Sequence, residues 1–168
     1  LRLNDSFYIV HRNLGLAYKE VRKDYAKALA SMEKAAACNP EDSRLLFEID
    51  ILNELNKFSP QKKYEFLKNN YPVVKKRSET LLRFVTRSVE YGKYDEAIKI
   101  MTTHTFIEFE GGTELQGSYI NAYTLRGLEF LKKAKYSKAV SDLETALAFP
   151  IRYGQALHAQ SYFILGTI

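Results

Sequence analysis

Apolar side chains recur at spacings of three and four residues along most of this chain, with polar residues between them, which is typical of amphipathic helices. The pattern begins over residues 6–21, where Leu14, Ala17, Tyr18 and Val21 are expected to form one buried stripe. It predicts further helices over approximately residues 25–38, 42–55, 60–70, 78–91, 94–102, 118–133 and 136–149, with a last one from about residue 154 onward. The predicted inner faces include Ala28, Met32 and Ala35 in the second helix and Leu81, Phe84, Val85 and Ser88 in the fifth.

The turns between these helices have characteristic residues. Asn39-Pro40 ends the second helix, because the residue before a proline is driven out of the helical region. Asp42 or Ser43 is expected to cap the third helix, and Ser59-Pro60 reads as a cap followed by a first-turn proline. Tyr71-Pro72 is expected to close the fourth helix.

At three places a predicted helix begins with a tyrosine directly after an interhelical turn, and an alanine follows three residues later. The pairs are Tyr25 and Ala28, Tyr94 and Ala97, and Tyr136 and Ala139. Gly15 and Gly127 lie in the predicted helices that precede two of these turns, and Gly166 lies in the last predicted helix, which has no partner helix in the sequence. Small residues at matched places let paired helices approach closely, so the sequence predicts repeated helical hairpins. Repeats of this kind usually supply surface rather than chemistry.

These residues resemble the tetratricopeptide repeat (TPR), a pair of antiparallel helices in about 34 residues. The first hairpin carries the family positions Leu14, Gly15, Tyr18, Ala28, Met32, Ala35 and Pro40, with a turn one residue longer than usual. The second departs from the pattern, because Glu48 stands where a small residue belongs. The resemblance implies an all-α fold, a right-handed α–α superhelix of about four hairpins plus a truncated fifth, in a single domain over residues 1–168.

Residues 12–18, 44–50 and 109–112 are also similar to the C-terminal repeat region of large bacterial proteins, in which a domain of unknown function precedes the repeats. That resemblance implies a longer parent chain and a link to carbohydrate use. The chain starts without methionine and stops within a helical pattern, so we expect a fragment.

Composition narrows the class of protein. With 46% hydrophobic and 27% charged residues the chain is typical of a soluble globular protein, and no apolar run approaches the ~18 residues that span a bilayer. The sequence leaves the compartment open between the cytoplasm and the periplasm. The single cysteine, Cys38, excludes an internal disulfide. The net charge is +5, but acidic residues lie near most basic clusters and the aromatic residues fall on core spacing, which disfavours nucleic-acid binding.

No catalytic chemistry is predicted. The three histidines lack metal-ligand spacing, and no nucleophile elbow, phosphate loop or dinucleotide motif is present in the sequence. Arg44 and Glu48, one turn apart, are expected to form a local ion pair. We therefore predict no catalytic residue, no cofactor and no metal.

A segment outside the repeats is predicted over residues 104–118. Its apolar Phe106, Ile107 and Phe109 are costly to leave in water, and Glu110 precedes two glycines. Two interpretations remain open, in which the segment either seals a boundary between repeats or borders a groove for a partner.

The TPR resemblance also implies a concave face lined by the first helix of each hairpin. Repeat position places these residues near it: Arg12, Leu16, Lys19, Thr86, Val89, Asn121 and Thr124. A basic and polar groove suits an extended peptide or an acidic terminus. We therefore expect a non-catalytic interaction module that binds a protein or peptide. The alternatives are a structural spacer that docks on its own N-terminal domain and an accessory module of a carbohydrate-processing protein.

Overall fold

The computed structural model describes residues 4–106, 113–149 and 156–167, and every regular element in these ranges is a helix. In chain order the helices are α1 (Asn4–Ala17), a π turn (Tyr18–Arg22), α2 (Tyr25–Cys38), α3 (Ser43–Leu55), α4 (Pro60–Asn69), α5 (Tyr71–Val74), α6 (Ser78–Glu90), α7 (Tyr94–Thr103), α8 (Thr113–Lys132), α9 (Tyr136–Ala148) and α10 (Ala156–Leu165). The predicted fold class is confirmed: this is an all-α, TPR-like helical repeat.

The chain divides into two compact units, Leu1–Phe84 and Val85–Ile168, and the boundary between them lies inside α6. In the first unit α2 lies between α1 and α3, and α3 also packs on α4 and α5. In the second unit α8 packs on α7, α9 and α10. The single domain predicted over residues 1–168 stays a prediction.

The core of the first unit is built mainly by α2 and α3. Ala28, Leu29, Met32 and Ala35 of α2 meet Leu45, Ile49 and Leu52 of α3, and all seven are buried. The predicted inner face of α2 is therefore confirmed. The predicted buried residues of α6 are also buried, namely Leu81, Phe84, Val85 and Ser88.

Glycines allow the close approach of paired helices at two places. A Cβ atom added to Gly15 of α1 would lie 3.1 Å from Met32 Cγ and 3.2 Å from the Ala28 carbonyl oxygen of α2. A Cβ atom at Gly127 would meet α9 in the same way. Both glycines act as predicted. A Cβ atom at Gly166 would meet only carbonyl oxygens of α10 itself among the described residues, at 3.5 and 3.6 Å, and its role in close packing stays a prediction.

The first helix of each hairpin ends on a residue with positive φ. These residues are Lys23 (54°), Lys57 (59°), Gly92 (77°) and Ala134 (54°). In three of the turns, the N–H of the residue after the positive-φ residue donates a hydrogen bond to the carbonyl five residues back. These bonds run from Phe58 to Asn53 (2.9 Å), from Lys93 to Ser88 (2.7 Å) and from Lys135 to Phe130 (2.8 Å). These bonds satisfy carbonyls that the helix end leaves without a partner.

The hydrogen bond that closes the first turn spans one more residue than the closing bonds of the other three turns. Here the Asp24 N–H reaches back six residues, to the Tyr18 carbonyl at 3.0 Å, and the backbone between them is wound as the π turn. The longer turn predicted for the first hairpin is thus accommodated by local widening of the helix.

Ala134→Gly is expected to raise the melting temperature by about 2–4 °C. The left-handed conformation costs an alanine but not a glycine, and the net gain is about 0.5–1 kcal/mol. Thermal unfolding followed by circular dichroism measures the change. Gly92→Ala, at the matching position of another turn, is the control and should melt lower than the parent; an Ala134→Gly protein that melts below the parent would contradict this account of the turn.

Several local predictions need correction. Leu14, Ala17 and Val21 are exposed, so the stripe predicted to be buried faces outward, and only Tyr18 of that set is partly buried. Arg44 pairs with Asp42 (3.1 Å) instead of Glu48, because Glu48 is engaged by Arg12.

Two further corrections concern helix boundaries. Tyr71-Pro72 does not simply end α4 but begins the short helix α5, since proline is tolerated in the first turn of a helix. The helix α8 starts at Thr113, so residues 113–118 of the predicted 104–118 segment are helical. Phe109 and Glu110 lie outside the described residues. The caps at Asp42 and Ser59 are confirmed, since their side chains accept bonds from the N–H groups of Arg44 and Lys62.

Candidate functional site

An apolar row runs along the outward face of α1 and the π turn. Its members are Phe7, Val10, Leu14, Ala17 and Val21, at spacings of three and four residues, and we call them the outer stripe. The four large side chains are 54%, 62%, 44% and 77% exposed, in that order, and Ala17 is also exposed. Single exposed apolar residues are ordinary, but a continuous row on one helix face is a candidate for an interaction surface.

The opposite face of α1 is already used. Gly15 lies against α2, and Tyr8 and Leu16 pack on the core of the first unit. The helix therefore has two apolar faces, of which the glycine face is the buried one. A helix that is apolar on both sides is normally covered on both sides.

The helix α8 shows what covers the matching face elsewhere in the chain. Gly15 and Gly127 hold the same place relative to the following helix, so Val10 corresponds to Ala122 and Leu14 to Arg126. Ala122 is 0% exposed where Val10 is 62% exposed.

In the second unit this face of α8 lies against α7. Arg126 Nη1 donates to Asp95 Oδ1 of α7 at 2.6 Å. Burial raises the pKa of Tyr94 of α7, and the nearby Glu129 carboxylate raises it further. Glu129 corresponds to Ala17 of the outer stripe. The face that α7 occupies on α8 is thus uncovered on α1 within the described part of the chain.

The predicted groove residues of the first unit are engaged within the unit. Arg12 Nε donates to Glu48 Oε1 and Oε2 at 3.1 and 2.9 Å, its Nη2 also bonds Oε1, and this pairing raises the pKa of Arg12. Lys19 Nζ pairs with Glu20 Oε1 at 2.9 Å. Leu16 is partly buried and packs against the core, and its role in binding stays a prediction.

The predicted groove residues of the second unit are mostly internal. Val89 is 7% exposed and Thr124 is 1% exposed, which corrects their placement on an accessible face. Thr124 Oγ1 shares a hydrogen bond of 2.7 Å with Ser161 Oγ. Thr86 Oγ1 bonds Glu114 Oε1 at 3.2 Å. Asn121 is exposed, and its role in binding stays a prediction.

The segment after α7 is described only up to Phe106. The Phe106 ring meets the His104 ring edge-on, with 4.8 Å between their centroids. Ile107, Phe109 and Glu110 fall outside the described residues. Both interpretations of this segment therefore stay open.

The described residues hold no group of three or more histidine, cysteine, aspartate or glutamate side chains arranged for a metal ion. Over the same ranges, none of the helices combines the length and the apolar character required to cross a bilayer.

Comparison with known proteins agrees with the fold. No family model matches the chain. The chain is similar to Tetratricopeptide repeat protein 37 of Xenopus laevis, with 30% identity over 143 residues. The match covers 83% of this chain but spans only 9% of the length of that relative. The similarity supports a TPR-like protein of the kind that provides interaction surfaces.

Proposed function

We propose that this chain is a non-catalytic, protein-binding segment of TPR-like repeats, and that the outer stripe of α1 is its contact surface. The observation that carries the proposal is the exposure of Val10 and Leu14, since their counterparts on α8 are Ala122, which is buried, and Arg126, which pairs with Asp95 of α7. An amphipathic helix of a partner fits such a face, because anchors at spacings of three and four residues match its own periodicity.

The stripe offers apolar surface that a partner can bury. Fully burying a large aliphatic or aromatic side chain contributes about 1.5–3 kcal/mol, and because the four large members are already partly buried they offer roughly half of the full sum, about 3–7 kcal/mol before costs. Association and side-chain ordering consume much of this gain. The stripe therefore anchors a complex, and contacts around it supply the rest of the binding free energy.

The second candidate is a spacer that docks on an upstream domain of its own parent chain. It uses the same stripe and is favoured by the fact that this chain spans 9% of the length of its TPR relative. A bacterial parent chain with an N-terminal domain and a link to carbohydrate use belongs to this candidate. The two candidates differ in whether the occupant of the stripe is another polypeptide or the same one.

A photo-reactive residue at Leu14 distinguishes the binding module from the spacer. Benzoylphenylalanine is placed at Leu14 in the parent protein, and at Ala30 on the exposed face of α2 as a matched control. A cross-link to a second polypeptide from Leu14, absent from Ala30, supports the binding module. A cross-link within the same polypeptide supports the spacer, and equal cross-linking from both positions contradicts a specific role for the stripe.

Val10→Glu/Leu14→Glu is expected to weaken capture of the cross-linked partner more than tenfold, because each charge must be buried against an apolar face. The control is Ala30→Glu/Ala37→Glu on α2, which adds the same charge at two exposed positions. Quantitative pull-down with the purified partner measures the loss. Both variants should keep the melting temperature within about 2 °C of the parent, since all four side chains face solvent; a stripe variant that still binds like the control would refute the assignment.

A further inference from the structure

Three arginines of the first unit lie against one face of α3. Arg12 of α1 bonds Glu48, and the guanidinium of Arg77, in the turn before α6, lies 5.9 Å from the centroid of the Phe47 ring. Arg44 stands three residues before Phe47 and four before Glu48, and residues at these spacings lie on the same side of a helix. We call Arg12, Arg44 and Arg77 the arginine cluster.

The carboxylate of Asp42, which caps α3, lies close to the cluster. The pKa of Arg12 is raised mainly by its bonds to Glu48, and the charge of Asp42 raises it further. The pKa of Arg77 is raised mainly by its bonds to Glu79, and Asp42 again adds to the effect. A single carboxylate therefore acts on guanidinium groups that come from two different parts of the chain.

The charges of this surface balance. Three carboxylates neutralise the three guanidinium groups, namely those of Asp42, Glu48 and Glu79. Both oxygens of each carboxylate already accept a bond. Asp42 accepts from the backbone N–H and from Nη2 of Arg44, at 2.9 and 3.1 Å, and Glu79 accepts from Nε and Nη2 of Arg77, both at 2.9 Å. Glu48 accepts from Arg12 on both oxygens.

The guanidinium groups keep donors that these bonds do not use. Among the described residues, no hydrogen bond engages Nη1 of Arg12, Nε or Nη1 of Arg44, or Nη1 of Arg77. The side chains of Arg44 and Arg77 are 44% and 38% exposed, so their remaining N–H groups are open to a ligand. The surface therefore offers N–H donors without a net charge.

Such a surface suits an uncharged chain of carbonyl acceptors. An acidic segment would be repelled by the three carboxylates that accompany the arginines. An ordinary extended segment brings one N–H for each carbonyl, and the acceptors of the surface are already engaged. Proline has no N–H, and a proline-rich segment is extended before it binds, so its carbonyls are exposed at small conformational cost. The half-buried ring of Phe47 adds an apolar contact for a proline ring.

We propose that the arginine cluster binds a proline-rich, extended segment of a protein partner, at a surface separate from the outer stripe. The N–H groups of Arg44 and Arg77 donate to main-chain carbonyl oxygens of that segment. Arg12 is two residues from both Val10 and Leu14, and because a helix turns by roughly 100° per residue it lies off the stripe. The proposal therefore does not depend on the function assigned to the stripe.

The test compares two variants with the same change in net charge. Arg44→Gln/Arg77→Gln removes two guanidinium groups of the cluster, and Arg22→Gln/Lys34→Gln removes two exposed cations on the π turn and α2. The probe is a short fluorescein-labelled polyproline peptide, titrated by anisotropy. We expect the cluster variant to bind about tenfold more weakly than the parent, and the control to stay within about twofold.

Two comparison peptides of the same length check the chemistry of the ligand. The parent should bind polyproline more tightly than a glycine–serine peptide, which is flexible, and more tightly than polyglutamate, which is charged. Because polyproline carries no charge, a higher ionic strength should change its affinity little.

Several results would overturn the proposal. They are the absence of polyproline binding by the parent, equal weakening in both variants, and tighter binding of polyglutamate, which would assign the surface to acidic segments. Circular dichroism melts establish that both variants are folded. If the cluster variant unfolds, Arg44→Lys replaces it; this change keeps an exposed cation but removes the fork of donors, and should weaken binding about threefold.

The stripe variant Val10→Glu/Leu14→Glu separates the two surfaces. It leaves the arginine cluster unchanged and should bind polyproline like the parent. Loss of polyproline binding in this variant would place the peptide on the stripe and contradict the proposal. If polyproline does not bind at all, the capture of a partner by the outer stripe is unaffected, so the proposed function is tested independently.

Discussion

Gly127→Leu is expected to lower the melting temperature of the chain by roughly 5–10 °C. A Cβ atom at this position would lie 3.2 Å from Leu143 Cγ and 3.3 Å from the Ala139 carbonyl oxygen, and a leucine adds three more carbons beyond it. Overpacking of this kind costs about 2–3 kcal/mol, and for a chain of this size each kcal/mol corresponds to about 2–4 °C. Thermal unfolding followed by circular dichroism measures the shift.

The same helix supplies the control. Gly117 also lies in α8, but a Cβ atom there has no neighbour within 4 Å. Gly117→Leu improves helix propensity by about 0.5–1 kcal/mol without a clash, so this variant should melt no lower than the parent. If the two leucine variants melted alike, the close packing of α8 on α9 would not explain the need for glycine at Gly127.

The sequence predicts this packing well because it is local. Gly15 and Ala28 in one hairpin, and Gly127 and Ala139 in another, are small residues at matched places, and each pair meets across a short turn. Gly166 shares the sequence pattern, and the described residues do not test its role. A small residue indicates where a close approach is tolerated, and the three-dimensional arrangement identifies the helix that makes it.

The same limit explains the inverted stripe of α1. Leu14 and Val21 have helical spacing and large apolar side chains, so periodicity favours their burial. The structure buries the face of Gly15 instead, because the glycine lets the backbones of α1 and α2 approach. When a helix carries two apolar faces, the period alone does not identify the one that packs on the core. The surplus face is the signal that led us to propose a contact surface on α1.

Long-range ion pairs are the part of the site that the sequence does not predict. Arg12 and Glu48 are 36 residues apart, and repeat position predicts a solvent-facing role for Arg12. Glu48 replaces a small residue in the repeat pattern, and the carboxylate that this departure introduces is paired with the Arg12 guanidinium. A departure from a repeat motif therefore indicates a compensating partner, but the partner is identified only by the three-dimensional arrangement.

Arg126→Met is expected to have the largest effect, a loss of about 3 kcal/mol and a melting temperature roughly 6–12 °C lower. Arg126 Nε and Nη2 donate to the two carboxylate oxygens of Asp142, both at 2.7 Å, and these bonds are the main reason that the pKa of Arg126 is raised. Asp142 is only 6% exposed. Methionine fills much of the arginine stem volume but leaves that carboxylate buried without a cation.

Two further variants distinguish the cost of leaving the Asp142 charge unpaired from the cost of losing the packing contacts of Arg126. Asp95 also pairs with Arg126, but it is 88% exposed, so Asp95→Ala should cost less than about 1 kcal/mol. Arg126→Met/Asp142→Asn removes the buried charge together with its partner and should recover a large part of the stability lost in the single variant. Chemical denaturation of the four proteins gives the free energies of unfolding for this comparison. A double variant no more stable than Arg126→Met would mean that Arg126 acts through packing on the rings of Tyr123 and Phe130, whose centroids lie 5.3 and 5.8 Å away, rather than through its charge.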